Sequence, residues 1–333
     1  MRARLFKLLA CLLLCPALIA SAEAASLSQQ RQMYDEAKRA LATGNAGPYR
    51  QYATALRDYP LEPYLAYDEL TARLKTASNA EIEKFLAEHG DLPQAGWMKL
   101  RWLRWLAERD DWSTFANYYD PALNFTELDC FYGQYLYRSN LPAEAAAQAE
   151  KLWLVGKSQP NACDALFNQW ESRGELTPAL RWQRAKLAAE AGQYGLASAV
   201  VRNQPSLAQP GKLLVDVAQK PQLLRNTASF VPANRQMADI VGLGLRRLAR
   251  QNPEQAIDLL EIYGQRLPFS SEEKVAIARA IGLSMAKRFD PRALQVMAQY
   301  DPELRDNTVS EWRARLLLRL GRWNEANELT KRL

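Results

Sequence analysis

The chain has 333 residues, 48% of them hydrophobic, which is enough to bury a sizeable core. Its 43 Lys and Arg against 37 Asp and Glu give a formal charge of +6 without any Lys/Arg block, which excludes a dedicated nucleic-acid binder. A single histidine and the absence of any Cys-x-x-Cys pair exclude a His/Cys metal site, and no cofactor is expected.

At the N-terminus, Arg2, Arg4 and Lys7 precede a short apolar run over residues 8–20, and Ala22-Glu23-Ala24 places small residues at the −3 and −1 positions of a cleavage site. The run is too short to span a bilayer comfortably, so residues 1–24 are expected to be a cleaved signal peptide that leaves no integral membrane segment. Leu8-Leu9-Ala10-Cys11 loosely resembles a lipobox, but cleavage there would strand most of the apolar run on the mature side. The signal takes with it three basic residues and the acidic Glu23, so residues 25–333 carry +4. Cys11 and Cys15 leave as well. Cys130 and Cys163 then remain in a compartment that permits oxidation, where an even pair reads as one disulfide; two buried free thiols are the alternative.

From residue 25 onward helix is the default, because Ala, Leu, Arg, Glu and Gln dominate and no stretch alternates with period two for long. "DYPLEPYLAY" (58–67) is a proline joint ahead of a helix expected from about Tyr64. His89, in "AEHGDLP", is placed at a helix C-terminus as a capping residue rather than a catalytic base. Trp97, Trp102, Trp105 and Trp112 crowd the next segment, followed by Tyr118 and Tyr119. Helix spacing favours core and wedge positions over a sugar-stacking face.

One punctuation recurs along the chain. "GQYGLA" (192–197) and "GRWNEA" (321–326) share Gly, an aromatic two residues on, and Ala three residues after that; Asp110, Trp112 and Phe115 fit loosely. "NPEQA" (252–256) and "DPRA" (290–293) put a turn residue and then Pro at a helix start. The reading is a helix hairpin in which Gly ends the first helix, the aromatic wedges between the pair and Ala lets them approach. One hairpin cannot cover its own apolar face, so neighbours stack. An all-α superhelix of stacked hairpins, resembling tetratricopeptide repeats, is expected over 25–333 as one elongated domain. "NQPSLAQPG" (203–211) is expected to interrupt it.

Candidate chemistry is sparse. Glu171-Ser172 in "WESRG" sits at a polar helix end without a Gly-rich continuation, and Glu175, Glu190 and Glu325 are equally bare of a constellation. No GxSxG and no phosphate loop occur, and Gly242 and Gly244 in "VGLGLRR" read as close helix packing. Arg246, Arg247 and Arg250, and likewise Arg313, Arg315, Arg319 and Arg322, suit the carboxylates of cell-wall peptides, although a solvated helix face is the ordinary account.

The segment "LWLVGKSQPNACDALF" (152–167) resembles the most recognisable block of the N-terminal domain of soluble lytic murein transglycosylases. "DYPLEPYLAY" resembles a second block, "EWRARLLLRLGRWNEA" (311–326) a weaker third, and "CFYGQYLY" (130–137) fits the partner half-cystine position. The resemblance implies a U-shaped α-superhelix that docks with a linker domain to form a ring, carrying a separate lysozyme-like domain. It also implies a periplasmic location, glycan strands of peptidoglycan and cell-wall enzymes as partners, and a structural role for Cys130 and Cys163. The family cleaves the β-1,4 bond between N-acetylmuramic acid and N-acetylglucosamine, leaving 1,6-anhydro ends, with one glutamate in a Glu-Ser motif followed by a Gly-rich segment. No residue here matches that motif, so no catalytic residue is assigned. The expectation is a non-catalytic superhelical portion of such an enzyme; the alternative is a stand-alone exported repeat scaffold that binds proteins or glycan.

Overall fold

The structure is a computed structural model that describes residues 25–333; the signal-peptide reading of 1–24 lies outside the described residues. All regular structure in that range is helical. The chain divides into two compact units, one ending at Tyr118 and the other running Tyr119–Leu333.

The first unit contains α1 (Leu27–Ala42), α2 (Gly47–Leu56), α3 (Glu62–Ala72), α4 (Asn79–Glu88), α5 (Ala95–Glu108) and α6 (Trp112–Tyr118). Ser26 and Ser78 start α1 and α4 with capping boxes, each accepting from the backbone of N3 while the N3 side chain returns the bond. The helix expected from Tyr64 begins slightly earlier, with Pro63 in its first turn. His89 is the C-cap of α4, as expected, its N–H bonded to the Phe85 carbonyl and its ring 5.2 Å from that of Phe85.

The second unit opens with α7 (Thr126–Arg138), α8 (Pro142–Trp153), α9 (Ala162–Ser172), α10 (Pro178–Glu190), α11 (Tyr194–Val201) and α12 (Pro205–Gln219). It continues with α13 (Arg235–Gln251), α14 (Pro253–Arg266), α15 (Ser271–Lys287), α16 (Arg292–Tyr300), α17 (Asn307–Arg319) and α18 (Trp323–Thr330). Hairpins α13/α14, α15/α16 and α17/α18 stack through their first helices, α13 on α15 and α15 on α17. Each helix thereby buries a face that its own hairpin leaves open. One continuous apolar cluster runs through the unit from Cys130 to Leu316.

A single turn recurs at the hairpin joints. Gly192 and Gly321 take the left-handed conformation (φ 78° and 69°), and the next residue reaches back five positions: Gln193 N–H to Ala188 O at 2.8 Å, Arg322 N–H to Leu317 O at 2.9 Å. Asp110, Asn140 and Phe289 adopt the same conformation without being glycine, and Asp111, Leu141 and Asp290 make the same bond.

Two expectations are corrected. "NQPSLAQPG" interrupts the helices only at its start: residues 203–204 belong to the break after α11, whereas Pro205 opens α12 and Pro210 lies inside it. The interior proline removes one backbone hydrogen bond, yet packing holds the helix, because at Gly211 an added Cβ would come within 2.4 Å of Val201 Cγ2 on α11. Nor does the aromatic always wedge. Tyr194 packs against the core, but Trp323 is 65% exposed.

Candidate functional site

The block that carries the resemblance is a packing device. Cys130 on α7 and Cys163 on α9, both buried, are disulfide-bonded with Cα atoms 4.8 Å apart. One turn along α7, a Cβ added to Gly133 would lie 2.6 Å from Leu166 Cδ2, so the helices touch closely beside the bridge. Gln134 Nε2 donates to the Ala162 carbonyl at 2.9 Å. The Gly-Lys-Ser-Gln-Pro-Asn run is the α8–α9 connection. Its Gly156 backbone lies against α10, where a Cβ would meet Leu187 O at 2.6 Å, and Gln159 Nε2 donates to Leu152 O at 2.6 Å. Only a residue without a side chain fits at 156.

Beside this loop, Trp153 is held edge-on by Phe167 and Trp170, with ring centroids 5.1 and 6.1 Å away, and donates to Leu180 O at 3.2 Å. Arg184 lies 4.1 Å over the Trp153 ring. Burial pushes this guanidinium down to about 10, and its Nε and Nη1 have no hydrogen-bond partner. No local pattern marks this cation, because its buried place on α10 depends on Trp153 and Phe167 from two other helices.

The candidate carboxylates are structural. Glu171, half-exposed at the end of α9, is ion-paired with Arg181, and Ser172 Oγ donates to Gln169 O at 2.8 Å. Glu175 accepts from the Tyr137 hydroxyl at 2.7 Å, Glu190 pairs with Arg246, and Glu325 pairs with Arg322 at 2.5 Å. None is sequestered as a general acid needs to be. The tryptophans divide. Trp102 is fully buried with Nε1 on Asn79 Oδ1 at 3.1 Å, Trp112 Nε1 bonds Asp110 Oδ1 at 2.8 Å, and Trp97 is 54% exposed. Arg246, Arg247 and Arg250 gather at the end of α13 around an open cleft. Arg315 instead pairs with Glu311 at 2.5 Å on the surface of α17.

Comparison with known proteins bears on what this arrangement belongs to. A family model described as cucumovirus coat protein matches residues 139–228, well under half of the chain. The curated soluble lytic murein transglycosylase of Escherichia coli K12 is 31% identical over 71% of this chain and 37% of its own length. The solved structure of an inactive mutant of lytic transglycosylase Slt from Pseudomonas aeruginosa is 65% identical, with a TM-score of 0.88, over 91% of this chain and 49% of that one. The chain is homologous to the soluble lytic murein transglycosylases over their superhelical region. A complex of the 70-kDa soluble lytic transglycosylase with bulgecin A has the same α-superhelical fold (25% identity, TM-score 0.68), covering 92% of this chain and 55% of that one. The chain spans about half or less of the length of these transglycosylases.

Proposed function

We propose that this chain is the non-catalytic superhelical portion of an exported lytic transglycosylase that cleaves the glycan strands of murein in the periplasm. Its part is to organise the enzyme's ring and to hold glycan strands, with murein and other cell-wall enzymes as partners. The observation that carries this reading is the 65% identity to the P. aeruginosa enzyme over only 49% of that chain. The inactivating glutamate-to-glutamine substitution in that enzyme lies at a position numbered beyond 333 in its own chain, which supports a catalytic acid outside the stretch matched here. The carboxylates of this chain point the same way, since Glu171 and its counterparts are engaged by arginines or a tyrosine at helix ends.

Purified protein incubated with murein sacculi is expected to co-sediment with them and to release no 1,6-anhydromuropeptides by mass spectrometry. Release of such products overturns the non-catalytic assignment.

A further inference from the structure

The C-terminal halves of α13 and α15 and the last residue of α10 enclose an open cleft of about 870 Å³ in the second unit. Helix C-termini present unsatisfied carbonyls and partial negative charge, so basic side chains there are ordinarily accounted for by the backbone. Two cations of this cleft follow that rule. Arg247 donates from Nη2 to Ala189 O at 2.7 Å and Glu190 O at 3.2 Å, and from Nη1 to the Tyr194 hydroxyl at 3.0 Å. Arg288 donates from Nη2 to the carbonyls of Arg250 at 2.8 Å and Gln251 at 3.2 Å. Arg246 pairs with Glu190.

Arg250 and Lys287 are left over. Both are exposed on the cleft wall, and among the described residues neither side chain has an ion pair or hydrogen bond. The wall therefore holds five cations against one carboxylate, a local surplus of four. That equals the whole formal surplus of residues 25–333, so the remainder of that stretch balances to zero. A convex, solvated basic face is screened and focuses nothing; a concave one of a single sign raises the local concentration of anions. Arg250 and Lys287 stand in the last turns of α13 and α15, where their charges complement the helix dipoles, and with no ion pair or hydrogen bond of their own among the described residues their donors stay open to the cleft.

We propose that this cleft binds the free carboxylates of murein stem peptides, with Arg250 and Lys287 as the primary charges and Arg246 as a second guanidinium fork. The identification of the ligand rests on the proposed function above; the anion preference rests on the cleft. Its volume suits a short peptide, whereas a free phosphate would leave most of the space empty. Leu283 on the same wall offers apolar contact to a peptide, and the Ser284 hydroxyl offers a further hydrogen bond.

The test is calorimetric titration of the protein with a disaccharide–tripeptide muropeptide, with the peptide-free disaccharide and with pyrophosphate. The Arg250→Gln/Lys287→Gln double variant is expected to keep the wild-type circular dichroism and melting curve and to bind the muropeptide at least tenfold more weakly. The peptide-free disaccharide is expected to bind both proteins equally weakly, and added salt to weaken the wild type more than the variant. Equal muropeptide affinity in the two proteins overturns the proposal, as does binding of pyrophosphate without binding of the muropeptide. Equal affinity with both proteins still retained on sacculi removes the cleft proposal alone and leaves the glycan-holding reading standing.

Discussion

The two units solve one problem, joining short helices, with different materials. In the first, polar side chains tie helix ends together. Arg73 bridges Glu69 on α3 and Glu81 on α4, both at 2.7 Å, and Asn79 Oδ1 accepts from both Trp102 and Arg109. In the second, an apolar cluster passes from hairpin to hairpin, helices close on one another at glycines, and a disulfide joins α7 to α9. Exposed ion pairs contribute little each, whereas buried area and a covalent tie contribute more. The first unit also buries apolar side chains such as Met98, Trp102 and Phe115, so the expected difference is one of degree, with the deeper stability reserve in the second unit.

The largest effect that would break or sharpen this contrast comes from the disulfide. The bridge joins positions 33 apart, for which chain-entropy reasoning gives about 4 kcal/mol. Cys130→Ala with Cys163→Ala is expected to lower the stability of the second unit by up to that amount while leaving the first unit's protection unchanged, as read by hydrogen-exchange mass spectrometry in urea. Equal loss in both units breaks the contrast.

Next in size is a pair of glycines two positions apart on α13. A Cβ at Gly244 would lie 2.5 Å from Val217 Cγ1 and 2.8 Å from Leu224 Cδ1, whereas one at Gly242 makes its nearest contact at 3.4 Å, with Phe269 Cε1. Gly244→Ala is expected to cost about 1–3 kcal/mol through overpacking. Gly242→Ala is expected to be neutral or to add up to about 1 kcal/mol of helix propensity. Thermal melts that rank the two the other way would contradict the packing described here.

The smallest effect belongs to the first unit. The Arg73 hydrogen bond, with the Ser78 backbone and hydroxyl, pulls the Glu81 carboxyl down to about 2. A depressed carboxylate adds stability that is fully present above its unfolded value near 4.5 and is lost as pH falls through the folded value. Glu81 is half-exposed, so Glu81→Gln is expected to cost less than about 1 kcal/mol at pH 7. The difference from wild type should shrink between pH 4.5 and 2 in acid-unfolding curves. A difference that persists at pH 2 would mean that something other than this ion pair is being measured.

Much of this was legible beforehand in its local terms. Gly192 and Gly321 announced their turns because an αL residue favours glycine, and Pro253 after Asn252 announced a helix start. Asn140 gives a weaker signal of the same turn, since Asn tolerates the left-handed conformation, whereas Phe289 makes it invisibly, because packing on either side imposes a conformation its side chain does not favour. Pro210 misled for the converse reason: its local penalty is real, but α12 continues through it, packed closely on α11 at Gly211. The cleft was only half readable. Arg246, Arg247 and Arg250 form a visible cluster, while Lys287, Arg288 and Glu190 reach it from other helices. No periodicity in the chain links those positions, because stacking between hairpins brings them together.

The recurring turn has a bearing on how such a chain can change. Its geometry is fixed by a backbone bond reaching five residues back, so it tolerates Gly, Asp, Asn or Phe at the pivot. Stretches bounded by two such pivots, as between Phe289 and Gly321, begin and end in the same backbone state. Duplicating or deleting one such stretch is therefore expected to lengthen or shorten the array without requiring a new kind of joint.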